Sequence, residues 1–81
     1  MGKKHFVRIL KRAQVNELTD MLNEAAGRKF PHVTAEDDTF EVKAPDGDVV
    51  FAGIKANSGA GHDTYICRMH REVFDEKSAG A

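Results

Sequence analysis

Two short apolar runs joined by Pro45-Asp46-Gly47 give the clearest pattern in the chain. In the first run Phe40, Val42 and Ala44 alternate with Glu41 and Lys43, the period of two that marks a half-buried strand. The second, VVFAGI from Val49 to Ile54, is a near-continuous strand-like run. Two turns compete between them. A two-residue turn on Asp46-Gly47 would pair Pro45 with Asp48, a position that wants the amide hydrogen proline lacks. A three-residue loop instead uses Pro45 and Asp46 as a type I turn and puts Gly47 in the left-handed bulge position. The second is the better chemistry. Carried along the hairpin, it sets Phe40 and Val42 on one face with Val50, Ala52 and Ile54. Val49 and Phe51 then fall on the other face beside Glu41 and Lys43, because one residue of slip exchanges the faces of a strand.

The remaining pattern supplies the partners. Residues 3–10, KKHFVRIL, read as a first strand with Val7 and Ile9 on one side and Phe6, Arg8 and Leu10 on the other. Residues 12–26 place Val15, Leu18, Leu22 and Ala25, joined by Met21 and Ala26, at helical spacing. Gly27 stands where a left-handed cap ends a helix, and Pro31 prevents a restart. Residues 30–38 form a connection in which residues 32–35 are a candidate short strand. Residues 64–74, TYICRMHREVF, read as a last strand, with helix as the alternative for its end. Tyr65, Cys67 and Met69 share one side of it.

These elements define an α+β domain: a small, mostly antiparallel sheet of three to four strands with one helix packed on one face, in the order β-α-β-β-β. Residues 1–74 make the single domain and residues 75–81 a tail without an apolar anchor. With only one helix, one sheet face is left uncovered. The hairpin register assigns Val49 and Phe51 to it, with Tyr65 and Met69 as further candidate partner contacts.

Composition narrows the chemistry. A hydrophobic fraction of 41% with 31% charged residues describes a folded chain. The net charge of −1 gives no global attraction to nucleic acid or membrane. Charge is local instead: Lys3, Lys4, Arg8, Lys11 and Arg12 precede the first acid, Glu17. That cluster is the candidate nucleic-acid contact, with Arg68 and Arg71 as additions, and a basic edge that repels strand addition is the competing explanation. His62, Asp63, Cys67 and His70 are metal-ligand types, yet Cys67 and His70 point to opposite sides of an extended strand and no second pair completes a site. Cys67 reads as a small core residue rather than a nucleophile. The acids Glu36, Asp37, Asp38, Asp46 and Asp48 sit at opposite ends of one strand, too far apart for paired acid–base work. Ser58-Gly59-Ala60-Gly61 lacks the lysine and hydroxyl of a phosphate loop.

The expected protein is therefore a non-enzymatic protein-interaction or regulatory module working through a sheet face or edge, as a homodimer or with another protein. The alternative is a nucleic-acid binder using the basic N-terminal strand and helix start. No catalytic residue, cofactor, metal or small-molecule substrate is expected. One cysteine and no long apolar run point to the cytoplasm.

Overall fold

The computed structural model describes residues 4–56 and 63–75. Their order is β1 (His5–Lys11), α1 (Arg12–Ala26), β2 (Thr39–Lys43), β3 (Val49–Lys55) and β4 (Thr64–His70). The four strands form one sheet in the order β1-β4-β3-β2, every neighbouring pair antiparallel. Strands β2, β3 and β4 follow one another as a meander, and β1 adds to the far side of β4. The link from β1 to β2 must therefore cross the whole sheet. It does so with α1 and residues 27–38, which is why one face is roofed by the chain. The expected α+β architecture is present with all four strands.

Core formation follows from that roof. Phe6 and Leu10 from β1, Val42 from β2, Phe51 from β3, and Tyr65, Cys67 and Met69 from β4 are buried with Val15 and Val33. Leu18, Leu22, Phe30, Phe40, Val50 and Phe74 pack around them. Edge-on aromatic contacts hold the centre, with Phe40 at 4.9 Å from Phe51 and 5.9 Å from Tyr65. Phe40 also covers Gly53, its direct cross-strand partner. A β-carbon on Gly53 would stand 2.8 Å from the Phe40 Cζ and 3.3 Å from the Cys67 sulfur, so only glycine fits beneath that ring.

Helix α1 starts without a pause after β1. The Lys11 backbone N–H donates to Gln14 Oε1 at 2.9 Å, a side-chain bond that closes the first turn. Gly27 ends the helix at φ 64°, and its N–H donates to the Asn23 carbonyl as the cap pattern predicts. The inward stripe differs from the expected one. Thr19 is buried, its hydroxyl donating to the Val15 carbonyl at 2.9 Å, whereas Met21, Ala25 and Ala26 are exposed. Back-bonding hides the hydroxyl of Thr19 and lets it take a position read as polar.

Residues 32–35 are not a strand. Ala35 already lies in a turn, and two helix side chains hold the preceding residues in place of a strand partner. Asn16 accepts from Val33 N–H at 2.7 Å and donates to Val33 O at 3.1 Å. Asn23 does the same for Phe30, at 2.8 and 3.0 Å. Seven residues is two helical turns, so both amides project along one side of α1. Tyr65 completes the anchoring by donating its hydroxyl to the Asp37 carbonyl at 2.8 Å.

Strand β4 also stops earlier than expected, at His70. Val73 and Phe74 N–H groups both donate to the His70 carbonyl, turning the chain so that the Phe74 ring comes back to 5.4 Å from Phe51. Of the expected tail, Asp75 alone falls within the described residues.

Candidate interaction face

The hairpin decides which side chains face away from the helix. Its turn is the three-residue loop: Gly47 N–H donates to Ala44 O at 2.9 Å, Ala44 N–H donates to Asp48 O at 2.8 Å, and Gly47 has φ 95°. Asp46 Oδ1 accepts from Asp48 N–H at 2.9 Å and steadies the corner. One pair further on, Lys43 is opposite Val49, but Val42 is opposite Phe51. Val50 is the extra residue of a β-bulge, and from there the register is shifted by one. That shift corrects the assignment made from the turn alone. Phe40 and Val42 share their face with Phe51 and Gly53, on the helix side.

The candidate contacts must be reassigned accordingly. Phe51, Tyr65 and Met69 are fully buried in the core and form no surface. Val49 is half-buried at the bulge, its carbonyl 2.7 Å from His5 Nε2. The face away from the helix is built from different residues, and strand register arranges them in rows. Ile9, Ile66 and Ile54 are directly opposite one another across β1, β4 and β3, with Thr39 beyond on β2. The next row runs Val7, Arg68, Ala52, Glu41. Ile9 is 67% exposed, Ile54 55%, Val7 54% and Ile66 42%. Val7, Ile54 and Ile66, but not Ile9, line a shallow concavity of about 710 Å³ running across the sheet. Arg68 lines it from the interior strand β4, and its side chain has no hydrogen-bond or ion-pair partner among the described residues. Glu41, two strands away, lies 3.6 Å from the Lys43 ammonium, both side chains about half exposed.

A histidine pair closes one end of this face. His5 and His70 are cross-strand partners whose rings meet edge-on at 5.0 Å. His70 is buried and accepts from Glu72 N–H at Nδ1, 3.1 Å away. That bond leaves the ring proton of neutral His70 on Nε2. Nothing in the linear sequence pairs residues 65 positions apart, so this contact was legible only through the β1–β4 register.

The described basic residues of the N-terminal segment are spread over both sides of β1 and the start of α1. Arg8 lies on the helix side with its guanidinium 5.2 Å from the centre of the Phe6 ring, and Arg71 approaches the same ring at 5.5 Å. Arg12 is ion-paired to Asp63 at 2.7 Å. Lys11 is exposed on the opposite side of β1 from Arg8, at the end of the open face, and Lys4 is exposed just before the strand. Lys3 lies outside the described residues, as do His62 and the loop Ser58-Gly59-Ala60-Gly61.

The titratable groups carry structural work. Burial pushes the Cys67 thiol up to about 12, which keeps it protonated and unreactive at neutral pH. Burial likewise raises the Tyr65 hydroxyl, and that proton is committed to the Asp37 carbonyl. Asp37 is held below the usual carboxylate range by bonds from the Thr34 backbone N–H and hydroxyl. Among the described residues no three His, Cys, Asp or Glu side chains gather as a metal site would require. None of the described helices is long and apolar enough to cross a membrane.

Compared with protein-family models, curated proteins and solved structures, the chain finds no match in any of the three. The function is therefore argued from this face alone.

Proposed function

We propose that the chain is a protein-interaction module, acting by binding rather than catalysis, whose helix-free sheet face is covered by an apolar protein surface. The observation that carries this reading is the contiguous group Ile9, Ile66, Ile54 and Val7, four branched aliphatic side chains each at least 42% exposed on a rigid sheet. In an 81-residue domain with a thin core, four such side chains left in water are a lost source of stability unless they are used. Arg68, whose side chain has no ion-pair partner among the described residues and whose cross-strand neighbours are Val7 and Ala52, has the character of an interface anchor.

What favours protein over nucleic acid is the distribution of rings. A sheet that binds single strands stacks bases on exposed aromatic side chains. Here Phe6, Phe40, Phe51 and Tyr65 all lie on the helix side, and the middle of the open face offers branched aliphatics, with the His5–His70 pair, of which His70 is buried, confined to one end. A cytoplasmic setting belongs to the same proposal, supported by a lone thiol buried in the core.

Photocrosslinking in living cells tests the reading. A benzophenone amino acid placed at Ile66 or Ile54 is expected to capture protein, and one placed at exposed Glu36 is not. Capture that is no greater from the sheet positions than from Glu36 would rule the interaction face out.

A further inference from the structure

We infer that the surface covering the open face is the same face of a second copy, related by a two-fold axis running along the strands between β3 and β4. The inference rests on the proposed interaction reading and adds the identity of the partner. Its basis is the order of residues within each row. Such an axis lays every row on its own reverse. Ile9, Ile66, Ile54, Thr39 then meets Thr39, Ile54, Ile66, Ile9, so Ile66 of each copy packs on Ile54 of the other in the middle of the contact.

The neighbouring row is complementary in both size and charge. Val7, Arg68, Ala52, Glu41 meets its reverse, which places the long Arg68 side chain over the small Ala52 of the other copy. Glu41 is the direct cross-strand neighbour of that Ala52, one strand spacing of about 4.8 Å away. The guanidinium therefore reaches the carboxylate, and two-fold symmetry repeats the pair on the other side. Moving the axis onto β4 would stack Arg68 on Arg68, a like-charge contact.

Edge-to-edge pairing is disfavoured by the same reasoning. Antiparallel pairing of two β1 strands about their centre sets Arg8 against Arg8, and two β2 strands set Glu41 against Glu41. Four strands at about 4.8 Å spacing and some 20 Å of strand length give a face of roughly 400 Å² per copy. That is about half of what each side of a standard interface contributes, so the dimer is weak and concentration-dependent.

Sedimentation equilibrium over a wide concentration range, combined with charge reversal, tests the pairing. Wild type is expected to show a monomer–dimer equilibrium. Arg68→Glu alone and Glu41→Arg alone each weaken it by about tenfold or more, and the double variant recovers most of the affinity. Both sites are exposed, and circular dichroism verifies that each of the three variants remains folded. A wild type monomeric up to about millimolar concentration, far above the dissociation constants of specific complexes, overturns the inference. So does a dimer whose double variant stays as weak as the singles. If Ile66 crosslinks in cells to a different protein while the chain is monomeric, the partner assignment fails and the interaction reading stands. Failure of both experiments removes both.

Discussion

Replacing Phe51 by alanine should cost most of the domain's stability, whereas replacing Ile54 on the same strand should cost little. Phe51 is fully buried, with the Phe40 ring at 4.9 Å and the Phe74 ring at 5.4 Å. A buried aromatic side chain removes some 150–250 Å² from water, and truncation to alanine in a core costs about 3–5 kcal/mol. At roughly 0.05–0.15 kcal/mol per residue, a domain of this length has about 4–12 kcal/mol in total. Phe51→Ala therefore leaves a marginal or unfolded protein. Ile54 is more than half exposed, so the same truncation there costs no more than about 1 kcal/mol in the monomer. Urea unfolding at low micromolar concentration, followed by far-ultraviolet circular dichroism because the chain has no tryptophan, measures both. Equal losses, or a larger loss for Ile54→Ala, would mean that the bulge at Val50 is absent and the faces of β3 are exchanged.

The other consequences concern the roof, the glycine and the thiol. Asn16→Ala removes both side-chain bonds to Val33 and strands its backbone groups; a loss of about 2 kcal/mol, seen as a melting temperature lower by about 8–16 °C, is expected from thermal denaturation. Gly53→Ala, which in an ordinary strand would be mildly stabilising, should instead destabilise by about 1–3 kcal/mol in the same assay, because its β-carbon runs into Phe40. Cys67 ionises more readily in the unfolded chain than in the folded one, where its value is raised to about 12. Its contribution is complete below the ordinary thiol range and is lost as pH rises towards 12. Unfolding free energy should therefore decline less on the alkaline side in Cys67→Ala than in wild type, measured by urea titration at stepped pH.

Much of the fold was legible because local signals agreed with one another. The period-two runs, the Gly27 cap and the Pro45-Asp46-Gly47 loop each specify their own structure within a few residues, and all four strands and the helix are present in the expected order, β4 alone ending well short of its expected span. The face assignment failed for a physical reason. A β-bulge needs no glycine or proline when its extra residue keeps an ordinary backbone, so Val50 leaves no mark in the sequence, yet it reverses the sides of everything from Phe51 to Lys55. The same error moved the candidate site from Val49, Phe51, Tyr65 and Met69 to Val7, Ile9, Ile54 and Ile66. The anchoring role of Asn16 and Asn23 leaves no mark in the sequence, because an amide that satisfies backbone groups of a distant segment has the composition of a surface residue. That Tyr65, Cys67 and Met69 share one side of β4 followed from alternation alone, whereas the burial of that side did not, because the mistaken register had placed Tyr65 and Met69 on the uncovered face.

The central claim is that the helix-free face is covered by protein when the chain is at work. Carbene footprinting of the side chains, in living cells and on dilute purified protein, measures this directly. Labelling of Ile9, Ile54 and Ile66 should fall severalfold in cells, while Met21, 63% exposed on the outer side of α1, is labelled alike in both. Equal labelling of the three isoleucines in the two samples would contradict the account.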